Sequence, residues 1–256
     1  MFDVSKYKEN LKTEIFGRKI VILDTVGSTN DDVSAFYEYN GLVLLANRQL
    51  NGRGRMGRTW HSDDIDNLYF SFIINNLKLT DITSVALFVS FSLYDVLKKF
   101  GSFKIKWPND IVISKRKVAG ILIETKVLDN KLLYAVVGIG VNVNSKNFPE
   151  EISNLATSIF SVYKNEISKE ELLANFFNTF EFYLLTYLKS NIKINIVERW
   201  RQASENINKI IKIKTAEKVE EVIERGIDED GALIVENMAG NRKKLYYGDI
   251  LNVNGC

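Results

Sequence analysis

The chain reads as an α+β protein of the α/β type: a mixed sheet flanked by helices, with a small β-barrel appended at its C-terminal end. Three observations predict this. Leu68 to Ile74 is a near-continuous apolar run, as in a strand buried on both faces. From Asp81 to Phe100, the residues Ile82, Val85, Ala86, Val89, Leu93, Val96 and Leu97 recur at helical spacing. After Ser204 the texture changes to short strands separated by turns, about 50 residues that suit a small barrel. The expected division is therefore residues 1–205 and 206–256.

In chain order, Ile20 to Leu23 is a short apolar strand. Asp24 to Asp32 reads as a turn into a helix start, with Thr29 or Asn30 as cap and two aspartates at the positive end of the dipole. Leu42 to Ala46 is a second strand. The long helix over Asp81 to Phe100 stops at Gly101. Lys104 to Trp107, Val118 to Glu124 and Leu133 to Asn144 read as further strands of one sheet. Ser168 with Glu171 forms a capping box that opens a second long helix, whose apolar face includes Leu172, Phe176, Phe180 and Tyr187. Ile210 to Lys214, Val219 to Glu224, Ala232 to Val235 and Lys243 to Tyr247 are the short strands, and Asp230-Gly231 marks a hairpin.

The 256 residues can hold one large domain, or one domain and a small one. With 34 basic against 32 acidic residues the net charge is +2, so any basic site is local and general nucleic-acid binding is not indicated. The single cysteine, Cys256, excludes a disulfide framework and fits a reducing, cytoplasmic compartment. The first residues lack the pattern of a signal peptide, and no apolar run approaches the ~18 residues of a membrane span. One histidine, His61, cannot build a metal site alone, and histidine-based catalysis is disfavoured.

Gly52-Arg53-Gly54-Arg55-Met56-Gly57-Arg58-Thr59-Trp60 is the most informative segment. Its glycines let the backbone approach a ligand closely, three arginines surround it with fixed charge, and a tryptophan closes it. This suits an anion, such as phosphate, beside a flat apolar group. The G-x-G-x-x-G spacing does not mark a dinucleotide fold. No helical period follows the third glycine, and no acid stands in Ser71 to Leu77, about 20 residues on. A solvated basic turn is the plain alternative.

Lys106-Trp107-Pro108-Asn109-Asp110 places one of the chain's two prolines at a strand end, just before two oxygen-bearing side chains. Asp110 is a candidate hard ligand for Mg²⁺, which binds through one or two carboxylates plus phosphate. A turn bonded to its own backbone is the alternative. Lys117 starts the next strand, beside the uncrowded Ala119 and Gly120. It can neutralise a carboxylate and a phosphate brought together, or stand exposed as most lysines do. In Gly138 to Asn144, alternation sends Ile139, Val141 and Val143 to one face and Gly138, Gly140, Asn142 and Asn144 to the other. The second face is a poor core and a good floor for a hydrogen-bonding ligand.

These sites, in this order, resemble the biotin protein ligase family over roughly residues 20 to 250: Ser28-Thr29-Asn30, Gln49 with the Gly52–Trp60 loop, Lys106–Asp110, Lys117–Glu124 and Gly138–Asn144. Gly226 to Leu233 resembles the family's C-terminal SH3-like domain. The resemblance implies a catalytic domain of the class II synthetase, biotin–lipoate ligase type. It also implies a two-step reaction: biotin and ATP give biotinyl-5′-AMP and pyrophosphate, then a lysine of a biotin carboxyl carrier protein, of acetyl-CoA carboxylase or a related carboxylase, takes the biotinyl group.

By position, Ser28, Thr29, Asn30 and Gln49 resemble the contacts to the ureido ring. Gly52, Arg53, Gly54 and Arg55 resemble the loop over carboxylate and phosphate, and Lys117 the essential lysine. Arg55, Arg58, Trp60, Asn109 and Asn142 resemble nucleotide contacts, and Asp110 the Mg²⁺ site. Some members carry an N-terminal winged helix-turn-helix. Only about 20 residues precede the first strand here, so operator binding is not expected. Monomer and homodimer remain equally open. A lipoate–protein ligase and a non-catalytic nucleic-acid-binding module are the competing readings. Ligand choice separates the first, and salt-sensitive nucleic-acid binding would revive the second.

Overall fold

The computed structural model describes residues 2–189 and 195–251; Cys256 lies outside the described residues. Helices are α1 (Val4–Asn10), α2 (Thr29–Ser34), α3 (Ile82–Leu97), α4 (Ile159–Tyr163), α5 (Lys169–Leu188) and α6 (Ile196–Ala203). Strands β1 (Ile20–Val26), β2 (Val43–Gln49), β3 (Leu68–Ile74), β4 (Lys104–Lys106), β5 (Asp110–Ile113), β6 (Arg116–Leu128) and β7 (Lys131–Val141) form one seven-stranded sheet in the order β1-β2-β3-β7-β6-β5-β4. Only β1 and β2 run parallel, so the sheet is mixed. Strands β8 (Ile210–Lys214), β9 (Val219–Ile227), β10 (Leu233–Glu236), β11 (Arg242–Leu245) and β12 (Asp249–Leu251) form a second, antiparallel sheet in the order β11-β10-β9-β8-β12.

Central position explains the texture of β3. All seven residues are buried, and its odd and even side chains serve two different faces. Phe70 and Phe72 meet Phe176, Phe177 and Phe180 of α5, mostly edge to face, and α3 packs against α5 on the same side. Leu79–Leu97 is long and apolar enough to cross a membrane by length and composition, but 56% of it is buried inside the molecule, as befits a core helix. The opposite face carries a smaller cluster, Val33 of α2 on Leu42, Leu44, Ile73 and Val136.

Several local expectations shift. β1 runs on to Val26, because Thr25 and Val26 pair with Arg48 and Gln49. Neither Thr29 nor Asn30 caps α2. Ser28 is the N-cap residue, without a side-chain cap bond, and the Thr29 and Asn30 side chains are drawn into buried hydrogen bonds instead. Ser168 does cap α5 through Glu171 N, but the reciprocal half of the box is missing: Glu171 turns to Lys6 of α1 at 3.0 Å, and Glu170 takes the Ser168 hydroxyl. Asp110–Ile113, to which the sequence pattern assigns no element, is β5. Its hairpin with β4 pairs Lys106 with Asp110.

The second sheet is joined to the first unit through α6. Trp200 and Ser204 both donate to the carboxylate of Glu224 on β9, which is fully buried. Burial pushes the Glu224 carboxyl above the usual carboxylate range. Glu205 N donates to Ile105 O at 2.9 Å, tying the connection to β4.

Candidate active site

The floor of the site follows from the strand alternation. Ile139, Val141 and Val143 are buried in the main core. Gly138 and Gly140 face the other way, and Gly140 lies directly opposite Gly120 of β6. Two glycines in register leave a patch without Cβ atoms, and the Trp60 indole lies on it. A Cβ on Gly140 would overlap the indole, one on Gly120 would meet Trp60 Cζ3 at 2.9 Å, and one on Gly138 would overlap Asn30. Val143 lies past the end of β7. Asn144 exchanges hydrogen bonds with the backbone of Ile167, so the polar face ends there as structure rather than floor.

Trp60 and Lys117 stand between two adjoining cavities. The first, of 160 Å³, is lined by Ser28, Thr29, Asn30, Gln49, Arg53, Gly54, Arg55, Asn109, Leu122, Gly138 and Gly140, among others. Its inner end is a chain of neutral polar groups that runs out to the Glu124 carboxylate. Thr29 N and Oγ1 donate to Gln49 Oε1 at 2.8 and 3.0 Å, and Gln49 Nε2 donates to Ser62 Oγ at 2.9 Å. Ser71 Oγ, wholly buried, lies 2.7 Å from Thr29 Oγ1 and donates to Asn30 Oδ1 at 2.6 Å. Asn30 Nδ2 donates to Glu124 at 2.5 Å. Gly52 is required here: a Cβ would meet Ser62 Oγ at 2.6 Å and Gln49 Nε2 at 3.2 Å.

The second cavity, of 470 Å³, has an apolar wall from Phe148, Pro149, Ile152, Leu155 and Ala156, and a polar side of Asn67, Tyr69, Asn142 and Ser145. Arg58, Lys106, Asp110, Lys117 and Asp249 line both cavities. Lys117 Nζ is 2.7 Å from Asp110 Oδ1 and 5.0 Å from the Trp60 ring centre. That Asp110 oxygen is buried and takes no directed hydrogen bond, and Trp60 Nε1 is likewise buried without a partner. Burial lowers the Lys106 pKa, with Asp110 opposing and Lys117 reinforcing the shift.

The loop itself is fastened at two places. Trp60 N donates to Gly52 O at 2.8 Å and Gly54 N to Arg58 O at 2.7 Å, closing it on itself around Met56, whose φ is 56°. Arg53 makes a bidentate pair with Asp31 at 2.7 Å, with Glu124 at 3.4 Å. These acids hold its guanidinium pKa above the ordinary value. Arg58 bonds Asp249 of β12 at 2.6 Å, and Arg55 lies 3.5 Å from the same carboxylate.

The residues singled out from the sequence thus converge on one pair of cavities, but with different availability. Lys117, Arg58, Trp60 and Asp110 meet at the junction, and Arg55 lines the first cavity. Arg53 spends its fork on Asp31. Asn109 Nδ2 is given to Ile121 O at 2.6 Å and Asn142 Nδ2 to Thr157 O at 3.1 Å. Sequence reasoning missed Ser71, Ser62, Asp31, Lys106 and Asp249. Ser71 had a signal, a lone hydroxyl in an apolar strand, and Lys106 sat inside a recognised motif. Asp249 had none. Among the described residues no group of three or more His, Cys, Asp or Glu could hold a metal ion. Asp110 and Asp249 are the carboxylates that line both cavities.

Comparison with known proteins fits this geometry. Residues 24–142 match the profile of the biotin/lipoate A/B protein ligase family, and residues 207–251 match the biotin protein ligase C-terminal domain. The biotin–[acetyl-CoA-carboxylase] ligase of Paracoccus denitrificans is 30% identical over 213 residues, 78% of this chain and 85% of that one. The bifunctional ligase/repressor BirA of Bacillus subtilis is 28% identical over 254 residues, covering 96% of this chain and 78% of its own. The Aquifex aeolicus biotin protein ligase solved with biotin and ATP superposes with a TM-score of 0.78 at 27% identity, covering 91% and 98% of the two chains. Fold and site thus define the class, the biotin and lipoate protein ligases. Within that class, the chain belongs to the biotin protein ligase family.

Proposed function

We propose that the protein is an ATP-dependent ligase that activates biotin as biotinyl-5′-AMP and transfers it to a lysine of a biotin carboxyl carrier domain of the acetyl-CoA carboxylase type. One observation carries the reading. A small cavity that holds a chain of neutral hydrogen-bonding groups and is lined by more cations than carboxylates opens, at Lys117, into a larger cavity with an apolar wall. A neutral ureido ring suits the first, an adenosine the second, and the anions that must react meet between them.

In the first step a biotin carboxylate oxygen bonds to the α-phosphorus of ATP, and the bond to the β-phosphate oxygen breaks to release pyrophosphate. The carboxylate is already ionised at neutral pH, so no base is needed. The demand is to bring two anions together and hold the charge of the transition state. We assign that work to Lys117 and Arg55, with Arg58 and Lys106 on the nucleotide side. Arg53 contributes by fastening the loop, since its guanidinium is committed to Asp31. Ser28, Thr29, Asn30 and Gln49 order the biotin end, Trp60 packs beside the adenylate, and Asn109 and Asn142 brace the cavity walls through their amides. Asp110 is the carboxylate that would hold Mg²⁺, which when bound with the triphosphate would offset phosphate charge. In the second step a carrier lysine amine attacks the acyl carbon and AMP leaves.

The chain divides on this reading into a catalytic unit over 1–205 and a C-terminal unit over 206–256, and works in the cytoplasm on carrier proteins, as a monomer or a homodimer. The test is ATP–pyrophosphate exchange with Mg²⁺, comparing biotin, lipoate and no acid. Exchange dependent on biotin alone is expected. Exchange with lipoate instead assigns the other branch of the class, and folded protein that exchanges with neither acid rules the proposal out.

A further inference from the structure

Resting on the adenylation reading above, we infer that Lys115, on the turn between β5 and β6, binds the β- and γ-phosphates of the nucleotide and so serves pyrophosphate as it leaves. Ile113 pairs with Arg116, so Ser114 and Lys115 alone make the turn. Both have left-handed backbones, with φ of 49° and 63°. Two-residue hairpin turns call for that conformation, and glycine or asparagine adopts it more readily than serine or lysine. Turn geometry therefore does not account for a lysine at 115.

The position of its side chain does. Lys115 and Lys117 both line the 470 Å³ cavity, whereas Arg116 between them lines neither cavity. Two residues of extended chain span ~7 Å. A second cation thus stands beyond Lys117, past Asp110 and Val112, which line the same cavity. The cations also differ in what they have spent. Lys117 pairs with Asp110, and Arg58 with Asp249. Among the described residues the exposed Lys115 ammonium pairs with no carboxylate, so its three donors on a flexible stem are free for an anion. When the bond from the α-phosphorus to the bridging oxygen breaks, its electron pair stays with that oxygen, and one further negative charge develops on pyrophosphate. A free ammonium at that end meets the developing charge without drawing a donor away from the α-phosphate.

The test is Lys115→Asn, which removes the charge and keeps a residue that tolerates the left-handed backbone. Pyrophosphate, ATP and biotin are varied separately in the exchange assay, and AMP is added as a competitor of ATP. The KM values for pyrophosphate and ATP are expected to rise about tenfold at low ionic strength, the loss of one charge-assisted hydrogen bond, and by less as salt is added. The KM for biotin, the inhibition constant of AMP and the melting temperature should hold. Lys115→Arg should restore the wild-type values, and Arg116→Gln, which removes the neighbouring charge outside the cavity, should leave them unchanged. An unchanged KM for pyrophosphate, an equal weakening of AMP, or the same rise in Arg116→Gln would each overturn the inference while wild-type exchange upheld the adenylation reading. Wild-type protein that exchanges with no acid would instead overturn that reading, and this inference with it.

Discussion

Replacing Lys117 by alanine should separate catalysis from folding. The backbone at 117 is held independently of the side chain: Lys117 N donates to Leu155 O at 2.7 Å, and Thr157 N to Lys117 O at 2.9 Å. The ammonium pairs with Asp110 at 2.7 Å, but the Lys117 side chain is a third exposed, so solvent screens the pair to about 0–1 kcal/mol. Its position over Trp60 adds about 0.5–1 kcal/mol at such a site. The combined loss is at most about 2 kcal/mol, or roughly 4–8 °C in melting temperature for a chain of this size. For the reaction, Lys117 is one of the cations at the junction where, on the proposed reading, carboxylate and α-phosphate meet. Removing one preorganised donor from developing charge costs about 10²–10³ in rate. Biotin-dependent ATP–pyrophosphate exchange should therefore fall at least a hundredfold in protein that still melts cooperatively. Exchange within tenfold of wild type, or loss of the folded state, would refute the reasoning.

Three further outcomes follow from the same geometry. Gly140→Ala should expel the indole from its glycine floor, weakening ATP binding more than biotin binding in calorimetric titrations; unchanged ATP affinity would mean the indole is not seated there when nucleotide binds. Ser71→Ala removes the hydroxyl that orders Thr29 and Asn30, and the KM for biotin should rise about tenfold with that for ATP unchanged. Glu224 has a raised folded-state pKa, so the native protein holds its proton more tightly than the unfolded chain. Its contribution is greatest at acid pH and is lost as pH rises through the folded value. Glu224→Gln should flatten that fall in melting temperature above pH ~4.5, and parallel pH profiles for the two proteins would exclude it.

How much was legible in the chain depended on how local the cause was. The Gly52–Trp60 loop, the Lys106–Asp110 turn and the Gly138–Gly140 face are each set by a few adjacent residues, and a strand's alternation already sends Ile139 and Gly140 to opposite sides. The long helices carry their own period and stop signals. Short pieces such as α1, α6, β5 and β12 were missed because too few residues carry a period. What holds them is distant: α1 packs on α5, and β12 takes its ladder from β8.

The sequence by itself determined the class of scaffold, the family and the run of residues from which the site is made, because those motifs are contiguous and chemically unusual. Only the tertiary structure decided what each residue is free to do. Arg53 and Arg55 are two positions apart and identical in kind, yet one is closed by Asp31 from α2 while the other is steadied by a carboxylate nearly two hundred residues away. Asn109 and Asn142 each hold an amide nitrogen that a sequence leaves unspent and from which the fold already draws one hydrogen bond. Hydrogen-bond capacity is a property of a side chain, but its availability is a property of neighbours, and neighbours are set by packing across the sheet rather than by spacing along the chain.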